Sequence, residues 1–245
     1  WYGNSDSMIL ASINSQTKTI YMTSFMRDLY ANIPNVGIRK LNSAYAVGGG
    51  PLLVSTIESN YRIDIDNYAS VDFSSMANII DLVGGVDLEV STQEAGYINM
   101  YLDEQCRLQG LNASDYYVTG GGITHLNGNQ AVGFARIRYT SRGSEHSDYG
   151  RTSRQREILV QLMQKARSLD ATTLLAVVNN MLPLITHNID AATLTTLIAN
   201  APSYINYDIQ TDRIPYDNMY TNLGEELVPD FEATINRLHQ TIYGN

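Results

Sequence analysis

Two apolar runs open the chain, residues 8–13 and 19–24, with Asn14-Ser15-Gln16-Thr17-Lys18 between them. Short apolar runs flanking a cluster of turn-forming residues predict a β-hairpin. If the turn centres between Gln16 and Thr17, residue 10 pairs with residue 23 and Asp6 lies opposite Arg27. A slip of a residue or two would still leave both side chains at the same end of the hairpin.

Ala46-Val47-Gly48-Gly49-Gly50-Pro51 then opens a helix predicted over 51–61, because proline suits the first helical position, where its missing N–H has no partner to lose. Residues 63–72 read as a strand. A helix over 73–83 carries Met76, Ile79, Ile80 and Val83 on one face, and Gly84-Gly85 supplies a left-handed end. A short strand over 86–90 and a short helix over 127–136 come next. A long helix follows from Gly150 to about Leu169, with Ser147 or Asp148 as its cap. Two more helices, near 172–182 and 191–200, precede a looser C-terminal segment. Strands mixed with helices throughout, with no repeat and no linker, predict an α/β fold: a three-layer α/β/α sandwich around a central mixed sheet. A single domain over 1–245 is expected, with no boundary near residue 170.

Composition narrows the chemistry. Hydrophobic residues make up 44% of the 245 residues, ample for a core, while charged residues are only 17%. Cys106 is the only cysteine. It offers neither a disulfide framework nor a cysteine metal site, and reads as a small core residue. The longest apolar stretch, 174–185, is interrupted by Asn179, Asn180 and Pro183, short of the roughly 18–20 residues of a membrane span. His125, His146, His187 and His239 show no paired metal spacing. Gly48-Gly49-Gly50 lacks the Lys-Ser/Thr of a phosphate loop, and there is no Gly-x-Ser-x-Gly elbow.

Charge changes the picture most. Eight of the 16 Lys and Arg residues fall between Arg136 and Arg167, in a chain of net charge −9. A local basic cluster in an acidic protein suits one compact anion, such as a phosphate or pyrophosphate, and argues against nucleic acid. On a helical wheel with Arg151 at zero, Ile158, Leu159, Leu162, Ala166 and Leu169 span about −20° to 80°. Arg154 falls at about −60° and Gln155 at about 40°, beside that apolar stripe, whereas Arg156 at about 140° is expected to face solvent. Inward arginines cost free energy unless they meet an anion. Internal carboxylates or a bound anion would both serve, and 25 Asp and Glu are available.

Seven stretches in order, over residues 3–165, give the sequence a family likeness. They are Ser5-Asp6-Ser7-Met8-Ile9-Leu10, Ser24-Phe25-Met26-Arg27-Asp28, Lys40-Leu41-Asn42-Ser43-Ala44-Tyr45, Val71-Asp72-Phe73 and Leu82-Val83-Gly84-Gly85-Val86. Leu126-Asn127-Gly128-Asn129-Gln130-Ala131 leading into Ala135-Arg136-Ile137-Arg138, and Asp148-Tyr149-Gly150-Arg151 with Arg154-Gln155-Arg156, complete the set. Together they resemble the LytR–CpsA–Psr proteins of Gram-positive cell envelopes. The resemblance implies a metal-dependent phosphotransferase that moves a glycopolymer from a polyprenyl-pyrophosphate carrier onto peptidoglycan. It implies that Arg27, Arg136, Arg138 and Arg151 act at the pyrophosphate and that Lys40, Arg154 and Gln155 help bind it. It also implies that Asp6 holds Mg²⁺ (or Mn²⁺) and that an apolar cleft takes the lipid tail. Arg27, Arg136, Arg138, Arg151 and Gln155 are expected to converge on one cavity with Asp6 at its rim. The family's arginine two residues before the metal aspartate is Asn4 here. The chain opens at Trp1 rather than Met, which reads as a processed sequence. By the resemblance, a membrane anchor ahead of it would hold the domain at the extracellular face of the cell membrane.

Two rival functions use the same residues: hydrolysis of the carrier's pyrophosphate, and non-catalytic binding of the lipid carrier. A transcriptional regulator would need a basic outer face and a DNA-reading element, which a basic cluster turned inward on its helix does not supply.

Overall fold

The computed structural model describes residues 3–142 and 147–244. In chain order the elements are β1 (Ile9–Asn14), β2 (Thr19–Phe25), β3 (Tyr30–Ile33), β4 (Gly37–Lys40), α1 (Ser43–Tyr61), β5 (Ala69–Ser70), α2 (Phe73–Leu82), β6 (Val86–Val90) and α3 (Thr92–Gln109). They continue with β7 (Gly122–Leu126), α4 (Gly128–Arg136), α5 (Ser147–Arg167), α6 (Ala171–Met181), β8 (Thr186–His187), α7 (Ala191–Tyr204), β9 (Asp208–Ile214), β10 (Tyr220–Leu223), β11 (Glu226–Pro229) and α8 (Phe231–Tyr243). The fold is mixed α/β, and the chain divides into two compact units, Trp1–Ser70 with His187–Asn245 and Val71–Thr186.

The first unit is built on a three-stranded mixed sheet in the order β1-β2-β9. The β1/β2 pair is antiparallel and takes the register expected from its turn, with Ile9 opposite Ser24 and Leu10 opposite Thr23. The Asn14 side chain fixes that turn by accepting the Gln16 and Thr17 N–H groups, each at 3.0 Å. The central strand β2 is buried along nearly its whole length, as its run of large side chains requires, and β9 joins it in parallel. The β3/β4 hairpin carries Lys40 opposite Tyr30.

The glycine run breaks a helix rather than cradling a ligand. In α1 the backbone leaves helical geometry at Gly48 and Gly49, and Gly49 takes a φ of 64° that favours glycine. The second half restarts at Pro51. At Gly50 a Cβ would sit 2.3 Å from the Tyr68 ring, so only glycine allows that contact. The strand expected over 63–72 shrinks to Ala69–Ser70. The C-terminal segment is more ordered than its sequence suggests. It supplies β9, the β10/β11 hairpin and α8, whose Ile235 and Leu238 join Phe25, Tyr61 and other buried side chains in the core.

The second unit packs α2 to α6 with the antiparallel β6/β7 ladder. Ile80, Val86, Leu88, Ile98, Leu126, Phe134 and Ile158 form its core, and Cys106 is buried. Among the described residues, four helix starts in this unit are capped by side chains, α6 by Asp170, which accepts from the Thr172 and Thr173 N–H groups. Asp72 accepts from Ser75 N–H at the start of α2, and Ser91 with Glu94, like Asn127 with Gln130, closes a reciprocal capping box. Gly128 then lets α4 approach α2: an added Cβ would lie 2.0 Å from the Ala77 carbonyl oxygen. Its N–H donates to Asp81 at 2.7 Å. Among the described residues no helix is long and apolar enough to cross a membrane.

Candidate functional site

In the first unit the hairpin end and the entry to α1 bring four charged groups together. Leu41 N–H donates to the Leu29 carbonyl and Asn42 N–H to the Arg27 carbonyl, which lays 40–42 beside 27–29. Arg27 Nη1 lies 3.5 Å from Asp6 Oδ1 and its Nε 3.4 Å from Asp28 Oδ2. Lys40 Nζ reaches Asp28 at 3.0 Å and Glu225 at 3.1 Å. The hydrogen bonds to Asp28, then Glu225, raise the Lys40 amine above its ordinary value. Asp6 is the most solvent-facing of the four local groups, its side chain 40% exposed.

Mg²⁺ commonly needs only one or two carboxylates, with phosphate oxygens and water completing its shell. Asp6 fits that requirement as a single carboxylate. Among the described residues no group of three or more His, Cys, Asp or Glu gathers to hold a metal ion. His125 pairs with Asp87 and His239 with the Tyr61 carbonyl, while His146 lies outside the described residues.

In the second unit the arginines separate into two groups with different surroundings. The first is structural. Arg154, expected to contact substrate, is fully buried: its Nε donates to Glu94 at 2.9 Å and its other nitrogens to the carbonyls of Ile137, Thr140 and Ser141. Its anionic partner in the fold is therefore Glu94. Arg142 approaches the same carboxylate at 3.4 Å and makes its main pair with Glu157. Burial pushes the Glu94 carboxyl up, but the Ser91 N–H and hydroxyl, Arg154 and Arg142 outweigh it and hold Glu94 below its usual range. Burial lowers the Arg154 guanidinium and Glu94 opposes the change; it stays charged. Arg156 departs from expectation: it is buried, because the first turns of α5 are enclosed on more than one side. Arg167 is exposed.

The second group is Arg136, Arg138 and Arg151. Asp148, in the first turn of α5, lies 3.7 Å from Arg138 Nε and 3.4 Å from Arg151 Nη2. Arg151 is buried, Arg138 about one-third exposed. Arg136 is exposed and makes no ion pair among the described residues; its guanidinium carbon sits over the Phe73 ring at 5.0 Å and the Tyr101 ring at 4.7 Å. Gln155 Nε2 makes one long bond, 3.5 Å, to the Ala135 carbonyl. Arg142 and Arg154 answer to internal carboxylates, whereas Arg136 meets none among the described residues.

Sequence reasoning overlooked Glu94, Asp148 as an ion-pair partner, and the two rings. One signal was available: Ser91-Thr92-Gln93-Glu94 is a capping-box signature and would have placed α3 and its buried glutamate.

Comparison with known proteins agrees with the motif order. The family model for the LytR_cpsA_psr family matches residues 1–238. A polyisoprenyl-teichoic acid–peptidoglycan teichoic acid transferase TagU of Oceanobacillus iheyensis is 32% identical over 254 aligned positions, covering 99% of this chain and 71% of that protein. The TagU of Enterococcus faecalis is 33% identical over 185 positions, 73% of this chain, and the chain spans about half (54%) of that relative's length. Among solved structures, the LytR-CPS2A-psr family protein YwtF (TagT) with bound octaprenyl pyrophosphate lipid has a TM-score of 0.69 at 20% identity, covering 99% of this chain and 86% of that one.

Proposed function

Because the chain belongs to the LytR_cpsA_psr family, we propose that it transfers a glycopolymer, through its phosphate, from a polyprenyl-pyrophosphate carrier to peptidoglycan. The observation that carries this reading is the second arginine group. Arg136, Arg138 and Arg151 lie within 16 residues on α4, its exit and the start of α5, and no carboxylate among the described residues takes the Arg136 donors. Forked guanidinium groups match phosphate oxygens two at a time. On α6, Leu174, Val177, Val178 and Met181 share one face and are all only half-buried, a surface that suits a prenyl chain.

The acceptor hydroxyl oxygen attacks the phosphorus attached to the glycopolymer. A new P–O bond forms, the bond to the second phosphate breaks, and polyprenyl phosphate leaves. Arg136, Arg138 and Arg151 bind the phosphates and stabilise the charge that grows on the leaving oxygen, the main lever in phosphoryl transfer. Arg27 and Lys40 add positive charge in the first unit, and Gln155 helps bind the phosphates. Asp6 would hold Mg²⁺ or Mn²⁺, which when bound neutralises phosphate charge. The Asp28 carboxylate is a candidate to take the acceptor's proton. Such a carrier resides in a membrane, so the protein works at a membrane surface, on its extracellular side where peptidoglycan lies.

The test is reconstitution. The protein is incubated with a polyprenyl-pyrophosphate-linked glycopolymer and peptidoglycan, and polymer attached to the sacculus is measured. Covalent attachment with release of polyprenyl phosphate is expected. Release of free glycosyl phosphate without attachment would assign hydrolysis instead, and binding without turnover would assign a carrier-binding module.

A further inference from the structure

Val71-Asp72-Phe73 is one of the stretches that carry the family resemblance, yet nothing above gives Phe73 a task. It stands at the start of α2, placed there by the Asp72 cap, and is 40% exposed. An exposed phenylalanine at a helix start buries little apolar surface. Its ring does have one partner, the guanidinium of Arg136 at 5.0 Å. Tyr101, from the middle of α3, brings a second ring to the same guanidinium at 4.7 Å. Tyr101 can lie there because Gly133, one turn before Arg136 on α4, has no side chain: a Cβ would meet the ring at 2.9 Å.

We propose that Phe73 and Tyr101 are positioning residues that hold the Arg136 guanidinium by its faces, so that its N–H edge stays available to a substrate phosphate. The contrast with Arg154 argues for this. A carboxylate would fix an arginine equally well, but it would also occupy the donors that a phosphate needs. Ring faces fix the plane through the quadrupole and leave most of the donors unspent. Two rings from two different helices also remove most of the side chain's rotamer freedom before substrate arrives, which lowers the entropy cost of binding. Asp72, Phe73, Gly133 and Tyr101 thereby acquire a common purpose in the second unit, one that neither packing nor direct phosphate contact assigns them. The inference rests on the reading of Arg136 as a phosphate ligand.

The experiment is calorimetric titration of the protein with a C20 polyprenyl pyrophosphate, alongside a thermal melt of each variant. Phe73→Leu and Tyr101→Leu should each weaken binding roughly three- to five-fold at an exposed cation–π contact. Tyr101→Phe should bind like the unaltered protein. In an Arg136→Ala background, Tyr101→Leu should weaken binding no further, because the guanidinium it orients is gone. A Tyr101→Leu loss that persists undiminished in the Arg136→Ala background marks a purely structural residue and overturns the proposal. So does unaltered affinity in both leucine variants while the unaltered protein binds. No binding by the unaltered protein overturns the phosphate-ligand reading itself.

Discussion

Arg154 on α5 and Glu94 in the first turn of α3 meet at 2.9 Å with both side chains out of solvent. The same carboxylate closes the α3 capping box and accepts the Ser91 N–H at 2.9 Å. One glutamate therefore starts a helix, neutralises a buried cation and ties α5 to the end of β6. Removing one partner of a buried pair leaves the other charge stranded, so Arg154→Ala should destabilise the fold by about 3–5 kcal/mol. Denaturant unfolding followed by circular dichroism measures this. A loss under about 1 kcal/mol would show that the pair contributes little.

Acid should act through the same glutamate. Its folded-state carboxyl lies below the ordinary value of 4.5. A group depressed in this way contributes its stability above the unfolded value and loses it as pH falls through the folded one. Melting temperature should hold steady from neutrality to about pH 5 on this account, then fall. Glu94→Gln should start from lower stability at neutral pH and show a shallower acid decline. An equally steep decline in that variant would move the acid sensitivity to other carboxylates.

Asp148 serves both Arg138 and Arg151 in the absence of substrate. Asp148→Asn should lower the melting temperature of the ligand-free protein and enlarge the increase produced by a polyprenyl pyrophosphate, since the added anion takes over the neutralising role. For comparison, a ligand at about 100 times its dissociation constant adds roughly 2.7 kcal/mol. A smaller ligand-induced increase in Asp148→Asn than in the unaltered protein would show that Asp148 organises the arginines rather than competing for them.

Arg138→Ala should slow transfer by roughly 100-fold, the scale for deleting one preorganised donor at a developing charge. Arg138→Lys should recover only part of this, because the ammonium cannot make two parallel bonds. Titration with EDTA and Mg²⁺ add-back tests Asp6 separately: transfer that ignores divalent cations would remove the metal from the reaction.

Gly128→Ala should be among the most damaging single-methyl changes in the protein. The methyl would meet the Ala77 carbonyl oxygen at 2.0 Å, and that obstacle is backbone. About 3 kcal/mol or more of destabilisation is expected, with α2 displaced from α4. Near-normal stability in a melt would mean that the two helices can separate without loss.

The hairpin was legible because its information is local: a polar five-residue turn between two apolar runs specifies both strands and register. The long helix was legible for the same reason. The partner of Arg154 was not legible, because Glu94 lies 60 positions away and no periodicity carries that pairing. Arg156 was misread because a wheel assumes one covered face, and α5 begins covered on several. The C-terminal strands went unseen since β9 is mostly polar; pairing with β2 defines it, and a partner that distant leaves no local pattern.

The turn at Asn14 has a further consequence. Asp6 lies eight positions before it, a span of about 26 Å in extended chain. An antiparallel ladder transmits phase without attenuation, so the number of residues in a remote, solvent-washed loop dictates whether a carboxylate confronts Arg27. Inserting one residue after Ser15 would advance the first strand by one step and present Ser5 or Ser7 where Asp6 now stands. A surface loop of this kind ordinarily drifts freely in length; here its length is a constraint on the chemistry at the opposite end of the strand.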